Sequence, residues 1–305
     1  MKMVDYIKLL LLNIDMERLT NLPCLEFITG VSEKTGELLN KKEADYHQCK
    51  IIIYDTGIII FSGSIHKLYN SIKNNVAPNP TVKSNKGFNG NQFTLNNLIE
   101  VRNHLANLFD CEPQQMEIRS IEIGVNAEPQ LDPSLFIKGL LYHKNKMFEY
   151  RFNGNFAKVD HQHFDLKIYN KSKQYDMQTD TLRIELKYSK MSEAKSIGIQ
   201  TFADITPNTL KEASKLLLKR FDEIIYYDKT IYPEGLTKPQ IASLERYSNP
   251  RYWIDYLKPN HRHRHKENLN KIILKNSKNL HQMIRTEIIK KCSIITQLSE
   301  SEIVA

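Results

Sequence analysis

Apolar and polar residues alternate through three short stretches of the chain. In the first, Ile121, Ile123 and Val125 interleave with Ser120, Glu122, Gly124 and Asn126. In the second, Phe164, Leu166 and Ile168 interleave with His163, Asp165, Lys167, Tyr169 and Lys171. In the third, Leu182, Ile184 and Leu186 interleave with Arg183, Glu185 and Lys187. A period of two marks a strand with one buried face, so the spacing predicts three strands whose polar sides look to water. Neighbouring strands lie roughly 4.8 Å apart; paired in one sheet, these three bring Glu122, Tyr169 and Glu185 together.

Other elements follow from the same kind of pattern. Val4 to Leu12 reads as an opening strand and Glu17 to Leu22 as a short helix before Pro23. Tyr46 to Tyr54 and Gly57 to Phe61 read as a hairpin about Asp55-Thr56-Gly57. The stretch between Asn74 and Asn91 is rich in Asn, Pro, Lys and Gly and reads as a mobile loop, whose Lys83 and Lys86 are placed to touch a nucleic-acid backbone. Thr94 is the expected N-cap of a helix carrying Leu95, Leu98, Ile99, Leu105 and Leu108. Runs at Phe136 to Tyr142, Met147 to Phe152 and Phe156 to Val159 predict a meander into the Tyr169 strand, and Thr206-Pro207 opens a helix expected to reach Tyr226. Shorter helical patterns span Pro239 to Tyr247 and Asn249 to Tyr256, and after His261-Arg262-His263-Arg264-His265 one long basic helix is expected through Ile289. These elements predict an α+β fold, an antiparallel sheet with covering helices. The expected division is a sheet-centred domain over 1–205 and a helical, basic region over 206–305.

With 305 residues, 41% of them hydrophobic, the chain can bury a sizeable core. No apolar run approaches the roughly 20 residues of a membrane span, and the opening residues lack a secretory pattern, so a cytoplasmic protein is expected. The four cysteines are scattered, with neither zinc-site spacing nor disulfide density. The net charge of +8 is concentrated: residues 258–291 hold ten Lys or Arg against Glu267 and Glu287. A block of this kind suits a polyanion, because neutralising phosphates releases counterions. Lys258, Arg262, Arg264, Lys266, Lys271 and Lys275, together with Lys167, are the candidate DNA-backbone contacts.

Several segments, in order, resemble the replication initiators of filamentous phages, the gene II type endonucleases, and the related rolling-circle initiators of plasmids. Asp5 to Asp15 is similar to that family's opening strand, Gly87-Phe88-Asn89-Gly90-Asn91 to its glycine-asparagine loop and Ile118 to Ala127 to its acidic strand. Tyr169-Asn170-Lys171 resembles its Tyr-x-Lys segment, and Arg183-Ile184-Glu185 its Arg-x-Glu strand, continued by Lys195 to Ile199. The likeness covers roughly 4–230 through short motifs. It implies an enzyme that nicks one DNA strand at an origin, stays joined to the 5′ phosphate through tyrosine and later rejoins the strand. Carried over, it makes Tyr169 the nucleophile and Glu122 and Glu185 ligands of Mg²⁺ or Mn²⁺, with origin DNA, a host helicase and a polymerase as partners.

The chemistry asks for these residue types. Phosphodiester attack needs a nucleophile and neutralisation of charge on the phosphate oxygens. A tyrosine with a pKa near 10 needs help to ionise, which Lys171 and Arg183 can give as positive charges, and a hard cation on carboxylates would orient the phosphate. His161-Gln162-His163 resembles the paired-histidine metal motif of the broader rolling-circle endonucleases. Six extended residues from His163 to Tyr169 span about 20 Å, which ranks His163 below the two glutamates as a ligand and His161 below His163. Tyr175 and Tyr188 are rival nucleophiles. The plain alternatives are a solvated strand face with Glu185 paired to Arg183, Lys187 or Lys171, and a non-catalytic DNA-binding protein using its basic region; a relaxase or transposase would share the tyrosine chemistry.

Overall fold

In this computed structural model, which describes residues 3–77 and 87–302, the alternating stretches pair as their spacing requires. The strands are β1 (Val4–Leu11), β2 (Ile28–Val31), β3 (Leu38–Tyr46), β4 (Cys49–Tyr54), β5 (Ile59–Ser64), β6 (Met116–Ala127), β7 (Leu140–His143), β8 (Lys146–Met147), β9 (Glu149–Arg151), β10 (Phe156–Asp160), β11 (Phe164–Asn170), β12 (Leu182–Tyr188) and β13 (Ile224–Tyr226). Ten of them form one sheet in the order β2-β3-β4-β5-β1-β6-β12-β11-β10-β9, and β13-β7-β8 form a second. Every ladder among the described residues is antiparallel. The helices are α1 (Met16–Thr20), α2 (Ile65–Ile72), α3 (Leu95–Phe109), α4 (Pro133–Ile137), α5 (Lys171–Tyr175), α6 (Ser192–Ser196), α7 (Pro207–Asp222), α8 (Lys238–Tyr247), α9 (Pro259–Asn276) and α10 (Leu280–Glu302). The fold is α+β, as the patterns predict.

The core grows from the apolar sides of the alternating strands. Ile121, Ile123, Val125, Leu166, Ile168, Ile184 and Leu186 are almost fully buried, in one cluster with Leu217 and Phe221 of α7 and Ile284 and Ile288 of α10. Each such side chain contributes roughly 1.5–3 kcal/mol relative to leaving it in water, which fixes the register: slipping one strand by a residue would exchange its apolar and ionic faces. A second, smaller cluster joins Leu141, Tyr142 and Ile225 to Leu244, Trp253, Leu269 and Ile273. Residues on both sides of position 205 thus contribute to both cores.

Caps explain several boundaries. The Thr94 hydroxyl accepts from the Asn97 N–H while the Asn97 side chain accepts from the Thr94 N–H, a reciprocal cap that starts α3. Asp132 accepts from the Ser134 N–H and Pro133 sits in the first turn, so Phe136 and Ile137 are helical rather than the start of the expected strand.

Tertiary pairing overrides the pattern elsewhere. The helix expected to reach Tyr226 stops at Asp222, because Ile224 and Ile225 find partners in His143 and Tyr142 of β7. The segment Lys195 to Ile199 contains the end of α6 rather than a strand continuation. Tyr252–Tyr256 form one turn of π-helix. The expected single basic helix is two: the His-Arg run lies inside α9, and the chain breaks at Ser277 to Asn279, where buried Asp228 accepts from the Ser277 hydroxyl and the Leu280 N–H. Strands β2 and β3 at the sheet edge had no alternation to announce them; all four residues of β2 are exposed. Lys83 and Lys86 lie outside the described residues.

Candidate active site

The register lays the ionic residues in rows. Lys167 stands opposite Glu185 and Glu185 opposite Gly124; one row along, Tyr169 faces Arg183 and Arg183 faces Asn126. Glu122 is two residues from Gly124 on β6 and so is the diagonal neighbour of Glu185, within reach of long side chains. Glycine at 124 is what opens this diagonal. A Cβ there would sit 2.3 Å from the Ile184 carbonyl oxygen and 2.9 Å from Glu185 Cγ, so any other residue displaces the glutamate.

β1 supplies a third acid. Val4 pairs with Ile123 and Ile7 with Ile121, so Asp5 and Tyr6 together oppose the one residue between, Glu122. This β-bulge turns Asp5 onto the ionic face, away from the buried Ile7, Leu9 and Leu11 with which alternation would group it. One carboxylate oxygen each from Asp5, Glu122 and Glu185 lies within 4.8 Å of the others.

The ionic face is not the water-facing surface that alternation predicts. Asp5, Glu122 and Glu185 are 4%, 6% and 2% exposed, and Lys171 and Arg183 are fully buried. The covering segment is Gly87 to Asn91, where Asn89 Nδ2 donates to Asp5 Oδ2 (2.9 Å) and Asn89 Oδ1 accepts from Lys171 Nζ (2.7 Å) and Tyr175 Oη (2.5 Å). That segment is held in turn by α2, whose Asn70 donates to the Phe88 carbonyl oxygen and to Asn91 Oδ1. Ser64, the N-cap of α2, donates its hydroxyl to Asp5 Oδ1.

Tyr169 Oη donates to Glu185 Oε1 at 2.9 Å, and Arg183 Nε donates to the same oxygen at 2.8 Å. Lys167 Nζ donates to Glu122 Oε2 at 2.5 Å and lies 3.7 Å from Glu185 Oε2. Lys167, expected among the DNA contacts, is thus drawn into the acidic centre. Burial, and then the charge of Glu185, push the Glu122 carboxyl up to about 7 although Lys167 opposes the shift. Burial pulls the Lys167 ammonium down, but Glu122 and Glu185 outweigh it and the net displacement is upward. The Tyr169 phenol is held well above its usual range by burial and by Glu185, with Arg183 pulling the other way.

The three acids suit a hard divalent cation: each offers oxygen, they converge, and the raised Glu122 carboxyl records negative charge crowded out of water. Sequence reasoning missed Asp5 and Asn89 as site residues. The available signal for Asp5 was an acid inside the otherwise apolar Val4 to Leu12 run; for Asn89 it was the glycine-asparagine loop.

The remaining candidates lie elsewhere. The His163 ring is not in the acidic cluster; its Nδ1 is 3.3 Å from Ser192 Oγ. His161 Nε2 instead meets His143 Nδ1 at 2.8 Å. Tyr188 points to the apolar side and is 1% exposed, whereas Tyr175 is one asparagine away from Asp5. Among the basic residues, Arg262 donates to Tyr142 Oη, Asn145 Oδ1 and the Ile254 carbonyl, and Lys266 donates to the Asp222 carbonyl at the end of α7. Lys258, Arg264, Lys271 and Lys275 are exposed.

No family's sequence profile matches the chain, and no curated protein matches it. Among solved structures it is similar to a chain described as a rolling circle replication initiator protein from Geobacillus stearothermophilus. The two are 11% identical over 88% of this chain and 95% of that one, with a TM-score of 0.40. No helix among the described residues is long and apolar enough to cross a membrane.

Proposed function

We propose that the chain is a metal-dependent, site-specific DNA nicking and joining enzyme that starts rolling-circle replication of a phage or plasmid in the cytoplasm. The observation that carries this reading is a phenol hydrogen-bonded at 2.9 Å to one member of a converging trio of buried carboxylates. The motif resemblance to gene II type initiators supports it. Asp5, Glu122 and Glu185 would hold Mg²⁺ or Mn²⁺, which when bound withdraws charge from the scissile phosphate and orients it. His163, whose ring meets Ser192 instead, is left out of this ligand set.

In this reading Tyr169 Oη attacks the phosphorus and its proton passes to Glu185 Oε1, the acceptor it already faces. A phosphotyrosine bond forms as the phosphorus–3′-oxygen bond breaks, and the 3′ oxygen takes up a proton from solvent to become the hydroxyl that primes the polymerase. Arg183 and Lys171 hold positive charge beside the phenol; Lys171 Nζ is 5.5 Å from the Tyr169 ring centre. Attack by a later 3′ hydroxyl on the phosphotyrosine restores the DNA bond. The exposed Lys258, Arg264, Lys271 and Lys275 would grip the backbone of origin DNA before a host helicase and polymerase arrive.

One observation favours a second reading, a non-catalytic DNA-binding protein: Lys167, Lys171 and Arg183 set three cations around the three acids, so the cluster can balance its charge without a metal. The two readings separate on a denaturing gel. Protein incubated with Mn²⁺ and single-stranded oligonucleotides tiled across its own replicon should give a covalent adduct in the wild type and none in Tyr169→Phe. An undiminished adduct in that variant refutes the assignment of the nucleophile, and no wild-type adduct on any tile refutes the enzyme.

A further inference from the structure

An aromatic side chain stands in solvent beside the candidate nucleophile. Phe152 is 77% exposed and has φ of 53°, a left-handed conformation that bulky residues rarely adopt. The next residue, Asn153, is left-handed too, with φ of 53°. The turn is nonetheless tightly tied. The Asn155 N–H and Nδ2 both donate to the Phe152 carbonyl, at 3.1 and 3.0 Å, and Asn170, adjacent to Tyr169, donates its N–H to the Asn155 carbonyl at 2.8 Å. The Phe152 ring meets Phe156 edge-on with centroids 6.0 Å apart, and Phe156, directly across the ladder from Tyr169, has its centroid 5.8 Å from the tyrosine ring.

Three rings thus run in contact from solvent to the phenol, on a turn held to the end of the nucleophile's own strand. Two cations lie close to the turn. Lys138 is exposed with its Cε within 3.7 Å of where a Cβ on Gly154 would lie, and Arg151, beside Phe152, has a side chain 58% exposed, although Glu149 shares it. A flat apolar ring flanked by cations is what an unpaired base and its phosphate require, since stacking accepts any base and the cations track the backbone.

We propose that Phe152, backed by Phe156, is a stacking platform for an unpaired nucleotide of the DNA strand and sets the distance of the scissile phosphate from Tyr169. The inference rests on the nicking reading, and its test is chosen to fail separately from it. The full-length protein is titrated with fluorescein-labelled oligothymidylate of about 20 nucleotides and with a wholly abasic strand of equal length and charge. The wild type should bind the thymidylate roughly tenfold or more tightly than the abasic strand. Phe152→Ala should lose most of that preference while binding the abasic strand unchanged, and Phe152→Tyr should keep it.

Because the Phe152 side chain packs little, its truncation is expected to leave the thermal unfolding curve in place. A wild type that binds the two strands alike, or a Phe152→Ala variant that keeps the full preference, overturns the platform. So does a Phe152→Ala effect confined to the protein's oligomeric state, which would make the ring a contact between copies. The covalent-adduct assay on the same preparations reports separately on nicking.

Discussion

Replacing Glu122 by glutamine should stabilise the metal-free protein above neutral pH. The carboxyl, ordinarily near 4.5, is pushed up to about 7 by burial and by Glu185, so the folded state binds a proton more tightly than the unfolded chain. An acid raised in this way adds no penalty well below 4.5; the penalty grows as pH rises through that window and is complete above 7. At 1.36 kcal/mol per pKa unit, the displacement amounts to roughly 3 kcal/mol at pH 8.5 and about 1 kcal/mol at pH 5. Glutamine keeps the shape of the neutral acid and escapes the penalty. Urea unfolding in EDTA should therefore show Glu122→Gln more stable than wild type by roughly 3 kcal/mol at pH 8.5 and by only about 1 kcal/mol at pH 5. Adding Mn²⁺ should raise the wild-type midpoint and move the variant's far less, because binding to the folded state alone is what stabilises. A variant less stable than wild type at pH 8.5 would falsify the reasoning, since it would mean that the Lys167 ion pair outweighs the crowding of the acids.

Other consequences are as direct. Gly124→Ala should destabilise by about 1–3 kcal/mol through overpacking and abolish the Mn²⁺ response, because its methyl group occupies the space of Glu185 Cγ; an intact response shows that the glutamate reaches its neighbours another way. Asn89→Ala removes a partner from each of Asp5, Lys171 and Tyr175, so a loss of about 1–3 kcal/mol is expected by chemical denaturation, and a neutral result means that water replaces the amide fully. Changing Lys258, Lys271 and Lys275 together to glutamine should lower the slope of log affinity against log salt for duplex DNA by roughly 2–3 with unfolding unaltered. Arg262→Gln should do the reverse, lowering stability through the lost contacts to Tyr142, Asn145 and Ile254; a large change in salt slope from Arg262 alone would return it to the DNA contacts.

Strict alternation in three stretches determined the central strands, and with them the shared face of Glu122, Tyr169 and Glu185, because side-chain direction in a strand is local geometry. The helix starts at Thr94 and Thr206 were equally local, since a cap is satisfied within three residues. Three things needed the tertiary structure. The Asp5 bulge exists only through pairing with β6; by its own alternation Asp5 belongs with Ile7 and Leu9 in the core. Burial of the ionic face depends on Asn89 and its neighbours, held over it by contacts with α2 that no spacing encodes. The positive block in residues 258–291 was visible as charge, yet only packing sorted exposed Lys271 and Lys275 from Arg262 and Lys266, which are occupied in holding α9 to its neighbours. Periodicity reports which way a side chain points from its own backbone; what it then meets is set by residues a hundred positions away.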